Sequence, residues 1–266
     1  MKFSFLRIHL SHFIPSLMIA LSSGLSMAAD FSVPSLSRCL TDMQTANTKD
    51  ARVYNIYSDF YYEYEDKRDF AVAALAEMTK LFAPANSSCN QFSQPMNRET
   101  ITCKKIAGSD VCIVPSDAGE FILVKDYVDS TNIILTEYDG DYSKFPEIDT
   151  NNDNESLWVP MPEMCYDGIL NGLWDSQSYL LDAKSYRRFG DLRYVMARTS
   201  RDLVKGLSQS DNTCQYETAA HLAAGMQCFA RNNKPTICGL PTTGAGYFIF
   251  VTDADNTMHL VFNRWD

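Results

Sequence analysis

Eight cysteines constrain this chain more than any other feature, because their spacing occurs twice. Cys89 and Cys103 are separated by thirteen residues and Cys112 follows after eight more, while Cys214, Cys228 and Cys238 stand at gaps of thirteen and nine. Upstream, Val33-Pro34 precedes Cys39 as Val159-Pro160 precedes Cys165, so every cysteine has a counterpart. From Cys112 and Cys238 onward the halves align without a gap, Pro115 with Pro241, Phe121 with Tyr247 and Thr131 with Thr257. The pattern predicts a tandem duplication with a period near 126 residues.

Length alone admits one large domain or two, and the repeat favours two of roughly 110 residues, each able to enclose a core. The expected boundaries are a leader over 1–28, a first repeat over 29–138, an Asp/Asn-rich linker over 139–156 and a second repeat over 157–266. The leader follows from Lys2 and Arg7, the apolar run from Phe13 to Leu25, and the small-x-small signal Ser26-Met27-Ala28. Export, periplasmic or secreted, is therefore expected, with no stable membrane insertion after cleavage.

Export decides how the cysteines are read. Four per repeat, without Cys-x-x-Cys and almost without histidine, indicate disulfides rather than metal ligands. Ala107-Gly108 reads as a two-residue turn that sets Cys103 opposite Cys112, leaving Cys39 for Cys89; the same logic joins Cys228 to Cys238 and Cys165 to Cys214.

Apolar periodicity completes the expectation. Leu36, Cys39, Leu40 and Met43 share a helical face; Val53–Phe70 reads as an amphipathic helix through Val53, Ile56, Tyr57, Phe60 and Tyr64; a further helix carries Ala71, Leu75, Met78 and Phe82. Its counterpart in the second repeat turns Met196, Leu203 and Leu207 inward and sets Arg198, Arg201 and Lys205 on another face, as a solvated stripe or a dock for the acidic first repeat. Beyond Cys89 the period becomes two. Four strands follow in each copy: Ile101–Ile106, Asp110–Val114, Phe121–Val128 and Ile133–Tyr138, then Met226–Ala230, Thr236–Leu240, Tyr247–Thr252 and Met258–Arg264. The predicted fold class is thus α+β: a tandem duplication, each repeat two to three helices followed by a four-stranded antiparallel meander, disulfide-stapled. Phe121–Val124 and Tyr247–Val251 are apolar without alternation, so both of their faces should be covered, and the two repeats should pack together there.

Little in the chain points to catalysis. Beyond the leader only His221 and His259 remain, with Met96 and Ile133 at the aligned positions, so no histidine-based site was copied with the fold. Gly-x-Ser-x-Gly, His-Glu-x-x-His and phosphate-binding glycine patterns are missing, and no cofactor or metal is expected. Asp149, Asn151 and Asp153 imitate the opening of a calcium loop, but Asn154 and Pro160 occupy its glycine and glutamate positions.

Charge narrows the partners. Residues 30–156 hold 11 basic and 22 acidic residues, against 10 and 11 over 157–266, so nucleic acid is a poor partner. Asp59, Tyr61, Tyr62 and Glu63 on the acidic repeat, with Arg198, Arg201 and Lys205 on the other, are the candidate binding residues. The expected function is a non-catalytic binding module for a protein or peptide, with an inhibitor or immunity-type protein for a basic partner as one form. The alternative is an extracytoplasmic hydrolase using carboxylates, or His221 and His259, in a cleft between repeats.

Overall fold

The computed structural model describes residues 31–46, 53–82, 89, 93–126, 129–137, 158–160, 178–182, 192–207, 216–218, 226–241, 246–253 and 257–264. The leader, the linker with its calcium-like run, His221, and Cys165 with Cys214 lie outside them. In chain order the elements are β1 (Phe31–Pro34), α1 (Leu36–Ala46), β2 (Val53–Tyr57), a 3-10 turn (Asp59–Glu63), α2 (Lys67–Phe82), β3 (Ser93–Met96), a second 3-10 turn (Arg98–Thr100), β4 (Thr102–Ile106), β5 (Ser109–Pro115), β6 (Gly119–Lys125) and β7 (Ser130–Glu137). There follow β8 (Trp158–Pro160), β9 (Ser178–Asp182), α3 (Leu192–Leu207), β10 (Tyr216–Thr218), β11 (Gln227–Phe229), β12 (Ile237–Pro241), β13 (Gly246–Thr252) and β14 (Thr257–Arg264).

Strands, not helices, dominate, and this corrects the predicted fold class. The described residues do not form tandem units of two to three helices, each with a four-stranded meander. Three α-helices occur among the described residues, and the two large antiparallel sheets have five strands each, ordered β2-β7-β6-β5-β4 and β9-β14-β13-β12-β11. Two short ribbons, β1 with β3 and β8 with β10, complete the strands. No described helix is long and apolar enough to cross a membrane.

The added strand explains the error. Val53–Tyr57 is β-branched and aromatic, and its burial alternates: Tyr54 and Ile56 lie inside while Asn55 and Tyr57 face out. A helical stripe and a short strand both fit so few residues, and pairing with β7, Tyr54 opposite Ile133 and Ile56 opposite Thr131, decides for the strand. Asp66 then opens α2: its backbone carbonyl accepts from the Asp69 and Phe70 amides and its carboxylate from the Arg68 amide.

Alternation along each strand of the first sheet sorts side chains between two cores. Cys112, Val114, Phe121, Leu123, Ile133 and Leu135 join Leu36, Leu75 and Met78 of α1 and α2. Ile113, Ile122, Val124 and Ile134, on the opposite face, pack with Ile237, Ile249, Val251 and Val261 of the second sheet. The two sheets therefore lie face to face, which is why every residue of β6 is buried.

Polar contacts hold the edges of this packing. The Ala107 amide donates to Gln227 Oε1 (2.9 Å), Lys104 Nζ lies 3.9 Å from the Phe229 ring centroid, and buried Glu120 pairs with Arg231 (2.6 Å) and Lys234 (3.3 Å). Ala107 and Gly108, at φ 50° and 98°, form the left-handed pair that closes the β4–β5 hairpin tightly. This turn rests on Gly239, where an added Cβ would stand 2.5 Å from the Ala107 Cβ.

Among the described residues, three disulfides join the cysteines their spacing indicated: Cys39 with Cys89, Cys103 with Cys112, and Cys228 with Cys238. The last two are directly opposed in the strand register. Such bridges are compatible with an oxidising compartment.

Candidate functional site

The tight 3-10 turn over Asp59–Glu63 sends adjacent tyrosines in opposite directions. Tyr61 goes inward. Its hydroxyl donates to Asp110, its ring packs edge-on against Phe70 with centroids 4.8 Å apart, and Lys67 Nζ sits 3.8 Å from its ring centroid. Burial, then the bond to Asp110, pushes its hydroxyl pKa up. Lys125 lies beneath, donating to the carbonyls of Asp126 (2.5 Å) and Ser130 (3.0 Å), and burial pushes its ammonium pKa down. Tyr61 is thus a structural residue, not a binding surface.

Tyr62 goes outward, 71% exposed, and Tyr57 at the end of β2 is 64% exposed. Asp59 and Glu63 are exposed on the same turn. The negative charge of Asp59, with some burial and the charge of Asp129, pushes the Tyr57 hydroxyl pKa up. Of the predicted binding residues, the structure gathers Asp59, Tyr62 and Glu63, while Tyr61 serves the core beneath them. Arg198 is half-buried on α3; Arg201 and Lys205 fall on the same helix, with side chains outside the described residues.

The chain immediately after this turn borders an open cleft of about 820 Å³, formed by Glu63–Asp69 with Arg98, Ile101 and Cys103. An ion network occupies one wall. Arg68 Nη2 lies 2.8 Å from Asp66, Arg98 pairs with Asp66 and lies 3.1 Å from Asp69, and Arg68 reaches Glu99 at 3.3 Å. Hydrogen bonds from the Arg68 side chain, against some burial and aided by Arg98, hold the Asp66 carboxyl below the usual range. Sequence reasoning missed Glu65, Asp66 and Arg68 because it ran one helix through Val53–Phe70, and Arg98 because it stands in a short turn with no periodic pattern. The signal was present in Glu-Tyr-Glu-Asp-Lys-Arg-Asp, where Asp precedes a helical run as a cap would.

The histidine arrangement is different in kind. His259 Nε2 lies 2.7 Å from Asp253 Oδ2, but both side chains are fully buried where the sheets meet, and Asp253 also accepts from the Glu137 amide. His259 shares a cross-strand row with Val251 and Ile237 of the inter-sheet core. Neither side chain reaches solvent, and the pair lies within the packing between the sheets. The strand register also revises the alignment: His259 opposes Val251 as Asn132 opposes Val124, so Asn132, not Ile133, is its counterpart.

Comparison with family models, with curated proteins and with solved structures gives no match for this chain.

Proposed function

We propose that this chain is an exported, non-catalytic binding module for a protein or peptide, with a cationic partner as the preferred class. The observation that carries the reading is the surface of Tyr57, Asp59, Tyr62 and Glu63, where two large aromatic rings stand in solvent among carboxylates. Tyrosine gives contact area at low entropic cost and is enriched at interfaces, while negative charge steers a basic partner. The Cys103–Cys112 bridge borders the adjoining cleft and stiffens the β4–β5 hairpin there. In this reading residues 1–28 are a leader removed on export, and the mature chain acts in the periplasm or outside the cell. An inhibitor or immunity-type protein directed at a basic enzyme has this chemistry.

The test is capture of partners from the native compartment at low and high salt, using the wild type and a Tyr62→Ala, Asp59→Asn double variant. Binding that weakens with salt and with the double variant is the expected result. Hydrolysis of peptide or glycoside substrates by the purified chain, with capture unchanged in the variant, would overturn the reading in favour of an extracytoplasmic hydrolase.

A further inference from the structure

Charge in the cleft beside α2 is unevenly spent. Asp66 and Asp69 are matched by Arg68 and Arg98. Lys67 is also committed, its Nζ donating to the Tyr64 carbonyl (3.3 Å) and resting over the Tyr61 ring. Glu63 and Glu65 border the same cleft, are exposed, and make no ion pair among the described residues. Between them Tyr64 turns a partly buried ring toward the core, and Ile101 adds apolar lining. The ion network is itself incomplete: Asp69 Oδ1 and Arg98 Nε are buried without a hydrogen-bond partner, one acceptor and one donor short. The cleft thus combines two exposed carboxylates outside any described ion pair with an aromatic and aliphatic lining. It is continuous with the exposed Tyr62 through Glu63.

We infer that this cleft receives a basic side chain from a peptide or protein partner, arginine in preference to lysine, with its cationic head at Glu63 and Glu65 and its methylene stem along Tyr64 and Ile101. The inference rests on the binding-module reading and names the group which that surface recognises. Arginine is preferred because its guanidinium is planar, weakly hydrated, able to pair with two carboxylate oxygens at once, and stacks on aromatic rings. At about 820 Å³ the cleft exceeds one side chain and accommodates the flanking peptide backbone.

Fluorescence anisotropy of labelled peptides tests this on the full mature chain. A peptide alternating glycine with arginine should bind more tightly than its lysine counterpart, and a glutamate counterpart should not bind. Glu63→Gln and Glu65→Gln should each weaken the arginine peptide by about threefold, and together by about tenfold. Glu77→Gln, which removes the same charge from an existing pair with Lys80 further along α2, should leave it unchanged. Thermal melting of each variant checks that the fold is retained. Equal binding of arginine and glutamate peptides, or equal effects of Glu63→Gln and Glu77→Gln, would overturn the assignment. If salt-sensitive capture survives in the Glu63→Gln, Glu65→Gln double variant, the cleft assignment fails while the binding-module reading stands. If the wild type captures nothing at low salt, that reading fails first.

Discussion

Single residues in this chain do work that their neighbours in sequence do not reveal. Asp117, in the β5–β6 turn, caps a helix from which it is distant in sequence: it accepts from the Ser37 amide (3.3 Å) and from the hydroxyls of Ser35 (2.7 Å) and Ser37 (2.5 Å) at the start of α1. Burial pushes its carboxyl up, but the hydrogen bonds from Ser37 and Ser35 win and hold it well below the usual range. A depressed folded-state pKa adds stability that is present above the unfolded value and lost as pH falls. The Asp117 and Asp66 carboxyls should therefore weaken the fold progressively below about pH 4. Melting temperature followed against pH should show a shallower acid limb in Asp117→Ala, together with lower stability at neutral pH. His259 gives a second residue-scale prediction. Asn132 fills the matching place in the first sheet, so His259→Asn should be tolerated, whereas His259→Leu removes the ring nitrogen bonded to the buried Asp253 carboxylate and should cost about 3 kcal/mol by chemical denaturation. No reading of sequence alone separates these two outcomes, because the aligned partner only becomes Asn132 once the strands are in register.

At the scale of elements, the strands after Cys89 were legible and the segment before them was not. Alternation, turn residues and opposed cysteines located β4 to β7 and β11 to β14 within a few residues. The edge strands β2 and β9 escaped because five residues support either period, and what decides is a neighbour supplied by a distant part of the chain. The candidate site suffered from the same error, since its cleft exists only where β2, the 3-10 turn and α2 replace one continuous helix. The hairpin turn offers a direct check on how the sheets meet. Gly239→Val puts two methyl groups where Ala107 already presses, and should destabilise by about 2–3 kcal/mol with no change in disulfide content. Bridge removal is ordered by loop length. The Cys39–Cys89 bridge closes 50 residues and its double alanine variant should lose about 4 kcal/mol, while Cys103–Cys112 closes 9 and should lose about 3 kcal/mol. Equal losses in denaturant titrations would show that strain or residual structure, not chain entropy, sets their value.

For the whole molecule, the apolar runs Phe121–Val124 and Tyr247–Val251 carried more information than any motif. They announced strands covered on both sides, and the covering layer on one side is the other sheet. Residues 29–138 expressed alone would present Ile113, Ile122, Val124 and Ile134 to water, and should self-associate when followed by analytical ultracentrifugation. A monomeric, soluble fragment would contradict the face-to-face packing.

The shared interior also fixes which parts of the molecule are at liberty to change. Side chains committed between the sheets cannot drift without loosening the join, so under the binding reading proposed above adaptation to altered partners falls on the rim, in the short span from Tyr57 to Asp69. A descendant that shed one half would face a choice between recruiting a second copy of itself and repainting an entire wall of isoleucine and valine with polar groups.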